Sequence, residues 1–177
     1  VKTAHTTVIG IGNLIMSDDG VGVHAIHALR QRFTFSAGRA SFPTEVVLID
    51  GGTKSLDLLP YIEETERLML IDAVDMKAAP GTIKLIEGRS MRAFLDVKFS
   101  VHQISIPDML FAAEFKGITP PEMCLVGIQP LSLEVSDTLS PPVAGRFEEF
   151  LGTILTRLGQ WDVVPEPIAE STAAERN

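Results

Sequence analysis

The chain of 177 residues is 45% hydrophobic and 21% charged with a formal net charge of −8, the composition of one globular domain with a continuous core and not of a disordered segment. That acidic balance, with Lys and Arg scattered and no basic patch, argues against nucleic acid as a partner. Cys124 is the only cysteine, which excludes an internal disulfide and fits a reducing compartment.

Strands and helices alternate. Thr6–Gly12 predicts a first strand running into a tight turn at Gly12 and Asn13. Val21, Ala25, Ala28 and Leu29, widened by Ile26 and Phe33, predict a helix over Val21–Phe33, capped by Ser17, Asp18 or Asp19. Glu45–Asp50 is a continuous apolar run closed by Gly51 and Gly52, hence a second strand, and Ser55–Glu64 reads as a short helix. Arg67–Val74 predicts a third strand and Thr82–Ile86 a fourth, entered through the Pro80-Gly81 turn. Ser105, Pro107 and Gly117 punctuate a further helix, and Met123–Ile128 is a fifth strand. A last helix, opened by Ser140 and Pro141, carries Val143, Phe147, Phe150, Leu151, Ile154, Leu155 and Leu158 on one face.

Largely unalternating strands separated by helices predict a single α/β domain over residues 1–159. Its core is expected to be a twisted, mostly parallel five-stranded sheet with helices on both faces. From about Gln160 the sequence turns polar and rich in Pro, Ala and Glu, so 160–177 is expected to be a flexible tail. No apolar run approaches the roughly 20 residues of a membrane helix. The opening VKTAHTTVIGIGN shows no leader pattern, so a soluble, cytoplasmic protein with no membrane partner is expected.

Open α/β sheets form ligand sites beyond the carboxyl ends of their strands. Asp19, Asp50, Asp72 and His102 fall there. Asp72 sits inside an apolar strand, where an ionised carboxylate without a partner is costly; backbone N–H groups or a cation must compensate. Asp19 lies beside a helix N-terminus, where negative charge is favoured whether it caps or ligates. Asp50, before Gly51-Gly52, fits an Asx turn as well as a role facing a ligand. His102 stands in a polar loop, while His5, His24 and His27 read as solvated. Two carboxylates and an imidazole at one rim form a ligand set for a divalent transition metal with open positions. Such an ion polarises a carbonyl and lowers the pKa of bound water, as amide hydrolysis requires.

The Gly10-Ile-Gly12-Asn13 turn invites a nucleotide-binding reading. The third glycine of the dinucleotide fingerprint is Ile15 here, and Asp50 comes about 40 residues beyond the first glycine where about 20 is usual. No G-x-S-x-G elbow is present, and Cys124 lies in an apolar strand as a structural thiol.

Six segments then combine into a resemblance: Gly10-Ile-Gly-Asn-Leu-Ile-Met-Ser-Asp-Asp-Gly-Val-Gly22, Asp50-Gly-Gly-Thr53, Leu70-Ile-Asp-Ala73, Ala79-Pro-Gly-Thr82, Ser100-Val-His-Gln103 and Leu125-Val-Gly-Ile-Gln-Pro130. In order and spacing, over about residues 5–158, the chain resembles the hydrogenase maturation endopeptidases, proteases specific for the large subunits of nickel–iron ([NiFe]) hydrogenases. The resemblance implies a metal-binding trio of Asp19, Asp72 and His102, with Asp50 at a further position linked to function. It implies a twisted sheet flanked by helices. It also implies a substrate: the nickel-loaded large-subunit precursor, from which a short C-terminal peptide is released. Nickel supplied by that substrate would be the divalent transition metal recognised. A non-catalytic nickel-binding chaperone and a nucleotide-binding α/β module are the alternatives, and peptidyl-tRNA hydrolase, which shares the opening turn, is opposed by Ser17-Asp18-Asp19 and the missing basic surface.

Overall fold

The computed structural model describes residues 4–37, 44–88, 91 and 106–169. In chain order its elements are β1 (Ala4–Ile11), α1 (Val21–Arg32), β2 (Phe33–Ala37), β3 (Thr44–Gly52), α2 (Leu59–Ile62), β4 (Arg67–Ala73), β5 (Ile83–Glu87), α3 (Ile106–Lys116), β6 (Glu122–Ile128), α4 (Pro141–Ala144), α5 (Phe147–Gln160) and β7 (Val163–Pro167). The main sheet has five strands in the order β3-β1-β4-β6-β5. β1 pairs in parallel with β3 and β4, and β4 with β6, whereas β5 is antiparallel to β6.

Period-2 side-chain alternation splits the core into two layers. Val8, Met69, Ile71, Cys124 and Val126 face α1 and α5, meeting Val21, Ala25, Ile26, Leu29, Phe150, Leu151, Ile154 and Leu158. Ile9, Leu68, Leu70 and Leu125 face the other way, onto Leu58, Ile62, Met109, Leu110 and Ala113 of α2, α3 and the turn before α2. Each such aliphatic side chain contributes about 1.5–3 kcal/mol when fully buried. Both faces of the central strands are therefore apolar, which is why their sequences do not alternate. Among the described residues no helix is long and apolar enough to cross a membrane.

Several local expectations change. The first helix stops at Arg32, because Phe33 opens β2, which pairs antiparallel with β7 in a small second sheet. The segment expected to be loose from Gln160 thus contributes an ordered strand, with Trp161 and Val163 buried against the α1–α5 layer. None of Ser17, Asp18 and Asp19 caps α1; they form a 3-10 turn, Ser17–Gly20, and Gly20 takes the N-cap position. The Ser55–Glu64 helix is a 3-10 turn at Leu56–Leu58 followed by the single turn α2. The last helix is broken at Gly145 and Arg146 into α4 and α5. Gly117 ends α3 with φ of 71°, as expected, and Ser105 lies outside the described residues.

Candidate functional site

The chain leaves β1 towards β3 on one side, and leaves β4 towards β6 on the other. Adjacent parallel strands whose connections depart in opposite directions open a crevice at their carboxyl ends. Here that crevice lies between β1 and β4. The loop after β1 carries Asp19, and the end of β4 carries Asp72.

Glycines allow that loop to close on the sheet. Gly12 has φ of 132°, and a Cβ there would fall 1.7 Å from the Asp19 carbonyl oxygen. At Gly22 an added Cβ would fall 2.3 Å from the Ile71 carbonyl oxygen and 2.4 Å from that of Ile11. The first turn of α1 therefore rests directly on the ends of β1 and β4. Asp19 stands one helical turn before Gly22, and Gly22 packs on the residue preceding Asp72. The Asn13 N–H donates to Asp19 Oδ2 at 2.8 Å, orienting the carboxylate while leaving it acceptor capacity.

Asp18, which sequence reasoning treated only as a rival cap, has a different task. It is fully buried. Its Oδ1 accepts the Ser140 N–H at 2.7 Å; its Oδ2 accepts the Leu131 and Ser132 N–H groups at 2.9 and 3.0 Å and the Ser140 hydroxyl at 2.7 Å. Burial pushes its pKa up, but the Ser140 hydroxyl and the Ser132, Ser140 and Leu131 amides more than reverse that, so the carboxyl titrates below its ordinary value of 3.8. Ser140, expected to open the last helix, stands at the N-cap position of α4 but spends its hydroxyl on this carboxylate and makes no side-chain cap. Asp18 thereby fastens the segment after β6 to the turn that presents Asp19. A similar tie holds the segment after β4: Gln129 Oε1 accepts the Met76 N–H at 2.7 Å and the Ala78 N–H at 3.3 Å.

Asp50 and Asp72 share the rim but not a face. Asp50 is level with Gly10, and Gly10 with Ile71, so two strand spacings, roughly 10 Å, separate β3 from β4 there. Asp72 follows Leu70 by two residues and so takes the α3 face, whereas Asp50 takes the α1 face. There His27 Nε2 lies 2.8 Å from Asp50 Oδ2, and the Gly52 N–H donates to Oδ1 at 3.1 Å, an Asx turn. His27, expected to be solvated, is thus the partner of Asp50. The parity of β3 could have indicated this, because Leu48 and Asp50 face α1 together. His24 also departs from a solvated role: burial and then the charge of His27 lower its pKa. His5 sits at the surface, 3.3 Å from Glu45.

His102 lies outside the described residues; it precedes α3, which packs on the face that Asp72 takes, by four positions in sequence. Among the described residues no three His, Cys, Asp or Glu side chains gather closely enough to hold a metal ion. Asp50 therefore does not complete a three-acid cluster with Asp19 and Asp72. Cys124, on β6, is buried in the layer facing α1 and α5, and burial pushes its thiol up to about 12, in keeping with a structural role.

A mostly parallel α/β domain with acidic residues at the strand ends and loop around its switch point has the layout in which open-sheet proteins place a ligand site. The profile of the family described as "Hydrogenase maturation protease" matches residues 23–157. The chain is 36% identical over 162 residues to hydrogenase expression/formation protein HupM of Azotobacter chroococcum mcd 1, covering 90% of this chain and 74% of that one. It is 34% identical to hydrogenase 2 maturation protease of Escherichia coli (strain K12), covering 90% of this chain and 94% of that protein. The solved hydrogenase maturating endopeptidase HybD of E. coli superposes with a TM-score of 0.81 at 32% identity, covering 94% of this chain and 99% of that one. The chain belongs to the hydrogenase maturation protease family and is a peptide-bond hydrolase.

Proposed function

We propose that this protein is the endopeptidase that removes a C-terminal peptide from the nickel-loaded large-subunit precursor of a nickel–iron hydrogenase, acting in the cytoplasm. Asp19, Asp72 and His102 together recognise the nickel that the substrate brings, and Asp50 supports the rim from the opposite face. The observation that carries this reading is the position of Asp19 and Asp72 on the two sides of the β1–β4 crevice, linked through the Gly22–Ile71 contact. The donor set fits the ion: carboxylate oxygens and an imidazole nitrogen suit divalent first-row metals and leave positions for substrate groups. When bound, such an ion would polarise the scissile carbonyl. The chain's own part is to hold the two carboxylates on a rigid turn and a strand end. A nucleotide in this crevice is disfavoured, because Asp19 and Asp18 occupy the loop where a pyrophosphate would need donors.

The test is to incubate the protein with precursor loaded or not loaded with nickel and follow the precursor by mass. Release of the C-terminal peptide only from loaded precursor is expected. Asp72→Asn and His102→Ala are expected to lower kcat/KM by at least about 100-fold. Processing by both variants at the wild-type rate refutes the assignment, and an unchanged precursor mass with wild type at full nickel loading leaves a nickel-binding chaperone.

A further inference from the structure

Four large apolar side chains lie exposed beside the candidate rim: Ile15 at 61%, Leu131 at 56%, Leu133 at 52% and Val135 at 81% of full exposure. They come from two segments stitched into one surface. Ser136 N–H donates to the Ile15 carbonyl at 3.1 Å, Ser17 N–H to the Ser136 carbonyl at 2.8 Å, and Asp18 N–H to the Ser132 carbonyl at 3.2 Å. Along Leu131-Ser-Leu-Glu-Val-Ser136 the usual pattern is inverted, since the apolar residues point out while Ser132 and Ser136 are partly buried. A segment that only had to cover the domain would carry the opposite pattern. Its outward face is fixed by the Asp18 carboxylate, the residue next to Asp19. The apolar ledge and the candidate ligand are thus mounted on the same turn.

Charge restricts what can sit there. Between Thr3 and Leu29, and again between Gly117 and Gly145, the chain has no Lys or Arg, while Asp19, Glu134 and Asp137 are acidic. We infer that this ledge is the docking surface for the substrate polypeptide beside its scissile bond, and that it takes an apolar segment flanked by basic residues. This rests on the peptidase reading and names which part of the chain selects the substrate. Leu131, Leu133 and Val135 hold apolar side chains of the substrate, and Glu134 and Asp137 attract its cationic flank.

The test uses the full-length double variant Leu133→Ser with Val135→Ser, whose exposed positions leave the core intact. On nickel-loaded precursor, KM is expected to rise at least about tenfold with kcat within about twofold of wild type. The effect of Glu134→Gln with Asp137→Asn is expected to shrink as salt rises. The control Phe111→Ser with Phe115→Ser, on the exposed face of α3, is expected to change neither constant. An unchanged KM in the Leu133 and Val135 variant overturns the ledge while leaving the peptidase reading in place. If wild type cleaves nothing, the peptidase reading fails, and binding of the precursor measured by calorimetry decides the ledge. Affinity lower by at least about tenfold in the variant supports it, whereas equal affinity, or no binding by wild type, overturns it.

Discussion

Asp18→Asn isolates the physics that holds the site together. The carboxylate accepts four hydrogen bonds while fully buried, one on Oδ1 and three on Oδ2. An amide of the same shape must place its NH2 on one side. With its oxygen in the Oδ2 position, three contacts survive as weaker neutral hydrogen bonds, and the NH2 meets the Ser140 N–H, donor against donor. An unsatisfied buried N–H costs about 1–3 kcal/mol, and loss of charge assistance adds about 1 kcal/mol or more. The sum is about 2–4 kcal/mol, which for a chain of this size lowers Tm by roughly 4–16 °C. The pH dependence follows from the depressed carboxyl of the wild type. Its contribution is complete above the ordinary value of 3.8 and is lost as pH falls through the lower folded value. Thermal melts of both proteins at about pH 7 and about pH 3 should therefore show a gap that narrows in acid. kcat/KM on precursor should fall as well, because the 131–140 segment loosens beside Asp19. A Tm within about 2 °C of wild type at neutral pH, or a gap that widens in acid, refutes the reasoning.

Gly22→Ala places a methyl group 2.3 Å from the Ile71 carbonyl oxygen, so α1 must lift from the sheet. Overpacking of this kind typically costs about 1–3 kcal/mol, and calorimetry should show a lower Tm together with lost processing. Cys124, pushed up to about 12 inside the core, should resist a thiol reagent in the native protein at mildly alkaline pH and react once denaturant is added; fast native labelling contradicts its burial. His27→Ala removes a hydrogen-bonded contact to Asp50 whose side chains are 41% and 35% exposed, so unfolding in urea should change by less than about 1 kcal/mol. Any larger loss in kcat/KM than that small change explains would mark the Asp50-Gly52 turn as functional.

The sequence made the main sheet legible because its strands are apolar on both faces and its helices between them are not. β1, β3, β4 and β6 need no more than local composition to be recognised. The direction of β5 was not readable: a Pro80-Gly81 turn announces a strand, yet nothing local tells whether it lies parallel or antiparallel to β6, which follows it in sequence. The β2–β7 pairing was hidden for a related reason. Phe33 continues the apolar stripe of α1, and Val163–Pro167 contains two prolines, so each segment looks like something else until it meets its partner across 130 residues, as Ser36 meets Glu166.

The candidate site divides along the same line between local pattern and long-range contact. That Asp19 and Asp72 share the β1–β4 crevice was deducible, because topology alone sends strand ends to one rim. What Asp18 does was not, since all four donors on its carboxylate come from positions more than 110 residues away. Two adjacent aspartates are equivalent in any local reading; the fold distinguishes them by burying one among amides and leaving its neighbour partly open towards the crevice. The division has a functional consequence. A fully buried carboxylate that already accepts four hydrogen bonds has little capacity or access left for a cation, while one held by a single N–H keeps several acceptor sites. Asp18 therefore stiffens the turn so that Asp19 can remain under-coordinated, and exchanging the two roles would need a different loop after β6.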